Sequence, residues 1–206
     1  MLRPVLLAAL AALALPASAQ SSAHDSPERD GVHVVGEWTL TVLNRDGEVV
    51  ERREFHNDYV GGGFLAVLLA GDTSVGNWSI LITAPDGSSP LCADVSGAPA
   101  GCVLREPDPD YFATGPQYFD TLTVGVAADS GVTYLRLAGS VTASSAGTIQ
   151  SVATRVNDCA PSVAPAECGE AEFAGSGPFT FRDLGAEALD VQAGQTVNVQ
   201  VDVSFE

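Results

Sequence analysis

Lysine is absent from this chain, and each thing the sequence lacks removes a class of function. All nine basic residues are arginine, set against 26 Asp+Glu, for a formal net charge of −17. Phosphate backbones are held by clustered cations, so this balance excludes a nucleic-acid binder. It also disfavours adhesion to anionic lipid headgroups. Enzyme signatures are missing too. Gly71-Asp72-Thr73-Ser74-Val75-Gly76 has the wrong spacing for a nucleophile elbow. The Gly61-Gly62-Gly63 run lacks the Lys-Ser/Thr of a phosphate loop. A non-catalytic protein is expected.

Arg3 followed by the eleven-residue apolar run Val5 to Leu15, then Pro16 and Ala17-Ser18-Ala19, reads as a signal peptide over residues 1–19. That run is too short for a permanent span, which needs about 20 residues. No second long apolar stretch follows, so no membrane span is expected. Removing it leaves eight arginines against 26 acids, a charge of −18. The address implied is secreted: extracellular, cell-surface or periplasmic.

Residues 20–31 are polar and read as a flexible leader; residues 32–206 read as one domain. Within it the apolar residues alternate. Trp38, Leu40 and Val42 are interleaved with Glu37, Thr39 and Thr41, the period of a half-buried strand. Asn44-Arg45-Asp46-Gly47 is a turn, and Glu48 to Phe55 is the return strand. Phe64 to Ala70, closed by Gly71, is the one plausible helix. Further alternating runs surround Trp78, Leu122, Leu135, Ile149 and Phe179, with a loop-rich segment from Ser88 to Gln117. The final run, Val197, Val199, Val201, Val203 and Phe205, is the cleanest. Regularly spaced strands with turn residues between them predict an all-β, antiparallel β-sandwich, jelly-roll or Ig-like. An outer-membrane barrel shares the alternation but calls for aromatic girdles. Only 2 Trp, 4 Tyr and 8 Phe are present, and the return strand is charged on both parities.

Four cysteines allow three connectivities, and spacing alone does not choose. Local pairing, Cys92 with Cys102 and Cys159 with Cys168, is favoured because each pair brackets a Pro/Gly/Ala-rich stretch. These separations are too wide for a zinc site.

Other chemistry is sparse. Glu106, Asp108 and Asp110 offer carboxylates at alternate positions and are the candidate calcium ligands, although Tyr111 stands where an EF-hand needs glycine. No other cofactor is implied. His24 lies in the leader; His33 and His56 flank the open end of the first hairpin, where only the register decides whether they share a face. Trp38 and Trp78 are candidate carbohydrate platforms, yet both are in phase with aliphatic strand residues, which points to the core. Asn77-Trp78-Ser79 matches a glycosylation acceptor inside a strand.

Phe55-His56-Asn57, Gly61, Phe64-Leu65-Ala66 and Leu68-Leu69 form an asparagine after a strand, a glycine and a short apolar helix. Leu91, Asp120-Thr121-Leu122, Gly147-Thr148-Ile149 and the Val197–Phe205 strand follow in order. This succession resembles the opening and layout of phage tail-associated and virion structural β-sandwich proteins. The resemblance implies a structural subunit rather than a catalyst. The signal peptide and the cysteine pairs depart from that pattern. The expected function is therefore a secreted structural protein of the cell exterior, a surface-layer, matrix or filament subunit that self-assembles. The alternating face of Val197–Phe205 is its candidate assembly element. The alternative is a carbohydrate- or calcium-binding module.

Overall fold

The computed structural model describes residues 34–59, 64–85, 91–92, 101–107, 118–164, 167–168 and 178–205. Among the described residues are twelve strands, one α-helix and a 3-10 turn at Gly185–Glu187: β1 (Val34–Leu43), β2 (Val49–Tyr59), α1 (Phe64–Ala70), β3 (Ser74–Thr83), β4 (Cys102–Arg105), β5 (Tyr118–Phe119), β6 (Thr123–Asp129), β7 (Val132–Thr142), β8 (Gly147–Ile149), β9 (Ser151–Cys159), β10 (Pro178–Asp183), β11 (Leu189–Val191) and β12 (Thr196–Phe205). The protein is all-β. Ten strands form one sheet in the order β5-β4-β3-β9-β10-β2-β1-β12-β7-β6, antiparallel except for the short β4–β5 pair, and β11 pairs with β8 apart from it.

The turns are set by local chemistry. Asn44 Oδ1 accepts from the Asp46 and Glu48 amides at 2.9 Å each, and Gly47 takes a φ of 82° that side chains disfavour. Ser130 and Gly131, at φ 50° and 88°, close the β6–β7 hairpin with the two left-handed residues that match strand twist. The return strand β2 runs to Tyr59, four residues beyond the expected Phe55.

Alternation then builds the core. Val34, Gly36, Trp38, Leu40 and Val42 of β1 face inward. On β12, Val197, Val199, Val201 and Val203 do the same, directly opposite. Trp38 stacks on its cross-strand partner Phe55, ring centroids 6.1 Å apart, so it is a core residue and no exposed platform. Trp78 is half-buried and meets Phe179 edge-on at 5.3 Å. The helix α1 seats Leu65 in this core, its amide bonded to Tyr59 Oη at 2.8 Å, and ends at Gly71 with φ 74°.

The two ends of the ten-stranded sheet meet, giving a sandwich-like enclosure. Three residues, Asp120 to Leu122, lead from β5 at one end to β6 at the other. The Leu122 amide bonds to Arg105 O at 2.9 Å, and Thr121 Oγ1 donates to Ser140 O at 2.7 Å. Leu104 of β4 lies 3.0 Å from where a Cβ on Gly139 of β7 would sit. Arg105, a buried cation, holds the crossing: it donates to Asp120 Oδ1 at 2.6 Å and lies 5.1 Å from the Tyr118 ring centroid.

The structure adds to one sequence expectation and corrects another. The segment 88–117, expected to be loop-rich, also contains β4, whose four residues are all buried. A short strand covered on both faces has no alternation to read. Phe205, expected to share the buried valine face, is half-exposed at the strand's last position.

Candidate functional site

Both local cysteine pairs are closed: Cys92–Cys102 and Cys159–Cys168, each with Cα atoms 5.8 Å apart. Disulfides belong to oxidising compartments. Among the described residues no helix is long and apolar enough to cross a membrane. Of the candidate calcium ligands, Glu106 is half-buried, and burial pushes its carboxyl above the ordinary range. Asp108 and Asp110 lie outside the described residues, as do His24 and His33. Among the described residues no three His, Cys, Asp or Glu side chains are grouped to hold a metal ion. His56 points outward, with Nδ1 3.9 Å from Glu37 Oε1.

The C-terminal strand is interior to the sheet. β12 pairs along its length with β1 on one side and β7 on the other, so both of its hydrogen-bonding edges are used within the chain. Val197, Val199, Val201 and Val203 are at most 2 % exposed. They pack the core; as placed here, they offer no surface to a second copy.

Two features that the sequence reading passed over adjoin each other at the far end of the sheet. The first is the outer face of β1, β12, β7 and β6. Register lines up His56, Glu37, Asp202, Arg136 and Gly125 in one row across five strands. In the middle of it Arg136 grips Asp202 with two bonds of 2.7 Å, Nε to Oδ1 and Nη2 to Oδ2. Gln200 Nε2 donates to Asp202 Oδ2 at 3.1 Å. Arg136 also donates to Tyr134 Oη at 3.0 Å and sits 5.1 Å from that ring's centroid. This bonding to Asp202 raises the Arg136 pKa, outweighing burial, so the guanidinium is charged at any accessible pH. Around the pair lies a shallow cleft of about 280 Å³, lined by Glu37, Asp129, Val132, Tyr134, Arg136, Asp202 and Ser204. One signal for it was in the sequence: Arg136 is the one charge within its run of apolar and small residues, and Asp202 the one charge inside the last strand. Their pairing depends on register between strands 66 residues apart.

The second feature is β6 itself. It pairs with β7 alone, and its other edge has no partner strand among the described residues. Thr123-Val124-Gly125-Val126-Ala127-Ala128 carries no charge until Asp129. Val126 lies opposite Leu135 on the core-facing parity, yet it is 78 % exposed.

Comparison with protein-family models, with curated proteins and with solved structures finds no match to this chain.

Proposed function

We propose that this chain is a secreted, non-catalytic structural protein of the cell exterior, a surface-layer, matrix or filament subunit, and that its copies first associate through β6. The observation that carries this reading is an uncharged strand edge, unpartnered among the described residues, with an exposed core-parity valine on a chain of net charge −17. Strand edges of this kind are templates for pairing with another chain, and monomeric proteins usually guard them with charge or proline. The disulfides and the expected signal peptide support the exterior address; the resemblance to virion and tail proteins supports the structural role.

Charge favours a second copy at this edge. Two like-charged chains approach at least electrostatic cost where neither carries charge. A two-fold, antiparallel pairing about Val126 sets Gly125 against Ala127, Val124 against Ala128 and Thr123 against Asp129. No carboxylate then faces its own copy, and each exposed Val126 gains the other as its missing neighbour. Fully burying a valine contributes about 1.5–3 kcal/mol. Such an interface is isologous and makes a dimer.

Sedimentation across protein concentration tests this. Association is expected, and NaCl should strengthen it, because repulsion is screened within about 10 Å at 0.1 M salt. Val126→Asp and Val126→Lys each place like charges opposite one another and should stay monomeric, while their mixture associates. A wild type that remains monomeric at high concentration and salt, or an associating Val126→Asp variant, refutes the β6 interface.

A further inference from the structure

We infer that the cleft centred on Arg136 and Asp202 is a saccharide site, taking one uncharged sugar unit of a glycan. The inference stands apart from the β6 edge: the cleft lies on the outward parity and Val126 on the core-facing one.

The argument starts from hydrogen-bonding capacity left over. Arg136 spends its Nε hydrogen and both Nη2 hydrogens on Asp202 and Tyr134, which leaves two Nη1 hydrogens without a partner among the described residues. Tyr134 Oη accepts from Arg136, so its own O–H remains to donate. Ser204 adds a further hydroxyl, and Glu37 and Asp129 add acceptors; Asp129 Oδ1 receives only Ser130 Oγ at 3.1 Å. Donors and acceptors are thus both available around a small opening. Arg136 is already locked by its bidentate pair, so little side-chain freedom is lost on binding.

This inventory discriminates between ligands. One guanidinium, bonded to Asp202, stands against three carboxylates, Glu37, Asp129 and Asp202, so the cleft keeps an excess of negative charge. An anionic ligand meets that excess and the chain's net −17. A metal ion lacks three converging ligand groups among the described residues. A flat aromatic ligand finds the Tyr134 ring already covered by Arg136 at 5.1 Å, with Val132 the one apolar wall. A sugar carries hydroxyls that each donate and accept, and needs no net charge. The volume of about 280 Å³ falls just below the usual range of about 300–1,000 Å³ for ligand pockets, room for one ring with its neighbours in solvent.

The test is a titration of the isotope-labelled protein with the tetrasaccharides of glucose, N-acetylglucosamine, glucosamine and galacturonate. It is run at a protein concentration where sedimentation shows one species, so that failure of β6 association does not affect it. A neutral tetrasaccharide should shift the amide signals of Gly125, Tyr134, Arg136 and Ser204 with a dissociation constant of about 1 mM or below. Arg136→Lys keeps the charge but loses the fork, and Glu37→Gln alters an exposed acceptor; each should weaken binding about tenfold while the amide spectrum remains that of the folded protein. Three results would overturn the inference. One is no shift at these residues with either neutral sugar. Another is neutral-sugar binding that both variants retain in full. The last is binding of charged tetrasaccharides alone, which would mark an ion site.

Discussion

Gly36→Ala is the sharpest test of the packing described above, because one added methyl meets a fully specified obstacle. Gly36 sits on the inward face of β1, and a Cβ there would lie 2.2 Å from Asn57 Oδ1 and 3.3 Å from Trp38 Nε1. Neither can retreat easily. Asn57 is 4 % exposed and Trp38 1 %, with Trp38 stacked on Phe55. Overpacking of this kind costs about 1–3 kcal/mol. Against it stands the about 0.4–1 kcal/mol by which alanine restricts the unfolded chain relative to glycine. A net loss of about 1–2 kcal/mol is expected, equivalent to a fall of roughly 2–8 °C in a protein of this size. Asn57 supplies the control. Both polar atoms of its amide are buried without a hydrogen-bond partner among the described residues, as is Trp38 Nε1. A buried polar group in that condition costs about 1–3 kcal/mol, so Asn57→Ala should lose little despite its depth. In the Asn57→Ala background the methyl added at position 36 has room, and Gly36→Ala should become neutral or stabilising. Urea unfolding of the four proteins without reductant gives the coupling directly. A cycle in which Gly36→Ala costs the same in both backgrounds, coupling below about 0.5 kcal/mol, refutes the close packing of these side chains.

Three further outcomes follow from the same structure. Val201→Ala, between Trp38 and Leu137 in register and wholly buried, should cost about 2 kcal/mol, while Gln200→Ala on the outward face costs below about 0.5, both read by urea unfolding. Replacing Cys159 and Cys168 together by serine opens a loop of sequence separation 9, and should lower stability by about 2–3 kcal/mol in the chain-entropy account; an unchanged urea midpoint would contradict it. Glu106 is the pH probe: burial raises its folded pKa above the ordinary 4.5, so the unfolded chain releases this proton first and stability falls as pH rises from there through the folded pKa. Glu106→Gln should therefore match the wild type below about pH 4 and exceed it at pH 7, with melting curves at both values as the check.

Local signals explain which elements were legible. The first hairpin could be read because Asn44 and Gly47 both hold the turn and sit between clean alternations. Ser130-Gly131 was legible for the same reason. The local cysteine pairing needed only short-range proximity. By contrast, β4 hid in a Pro/Gly-rich stretch because both of its faces are buried, and β5 is two residues long and gains its meaning from the strand beside it. The cleft was illegible as a unit. Glu37, Arg136 and Asp202 become neighbours through two ladders that join β1 to β12 and β12 to β7.

What the sequence by itself determined is the set of properties that need no partner strand: an all-β chain of strongly acidic composition, a short helix, cysteines grouped in two local pairs, and the inward face of the cleanly alternating strands β1 and β12. Alternation assigns a side to each residue because successive side chains point opposite ways. It says nothing about which strand lies alongside. Only the tertiary structure decided that β12 is an interior strand with both edges used, that the sheet curls until Asp120–Leu122 joins its two ends, and that β6 has, among the described residues, no partner strand on its second, uncharged edge. Strand order is chosen by the summed packing of non-local contacts, such as Trp38 on Phe55 and Leu104 against Gly139, and by ion pairs such as that of buried Arg105 with Asp120. Those energies exist only once residues distant in sequence have met.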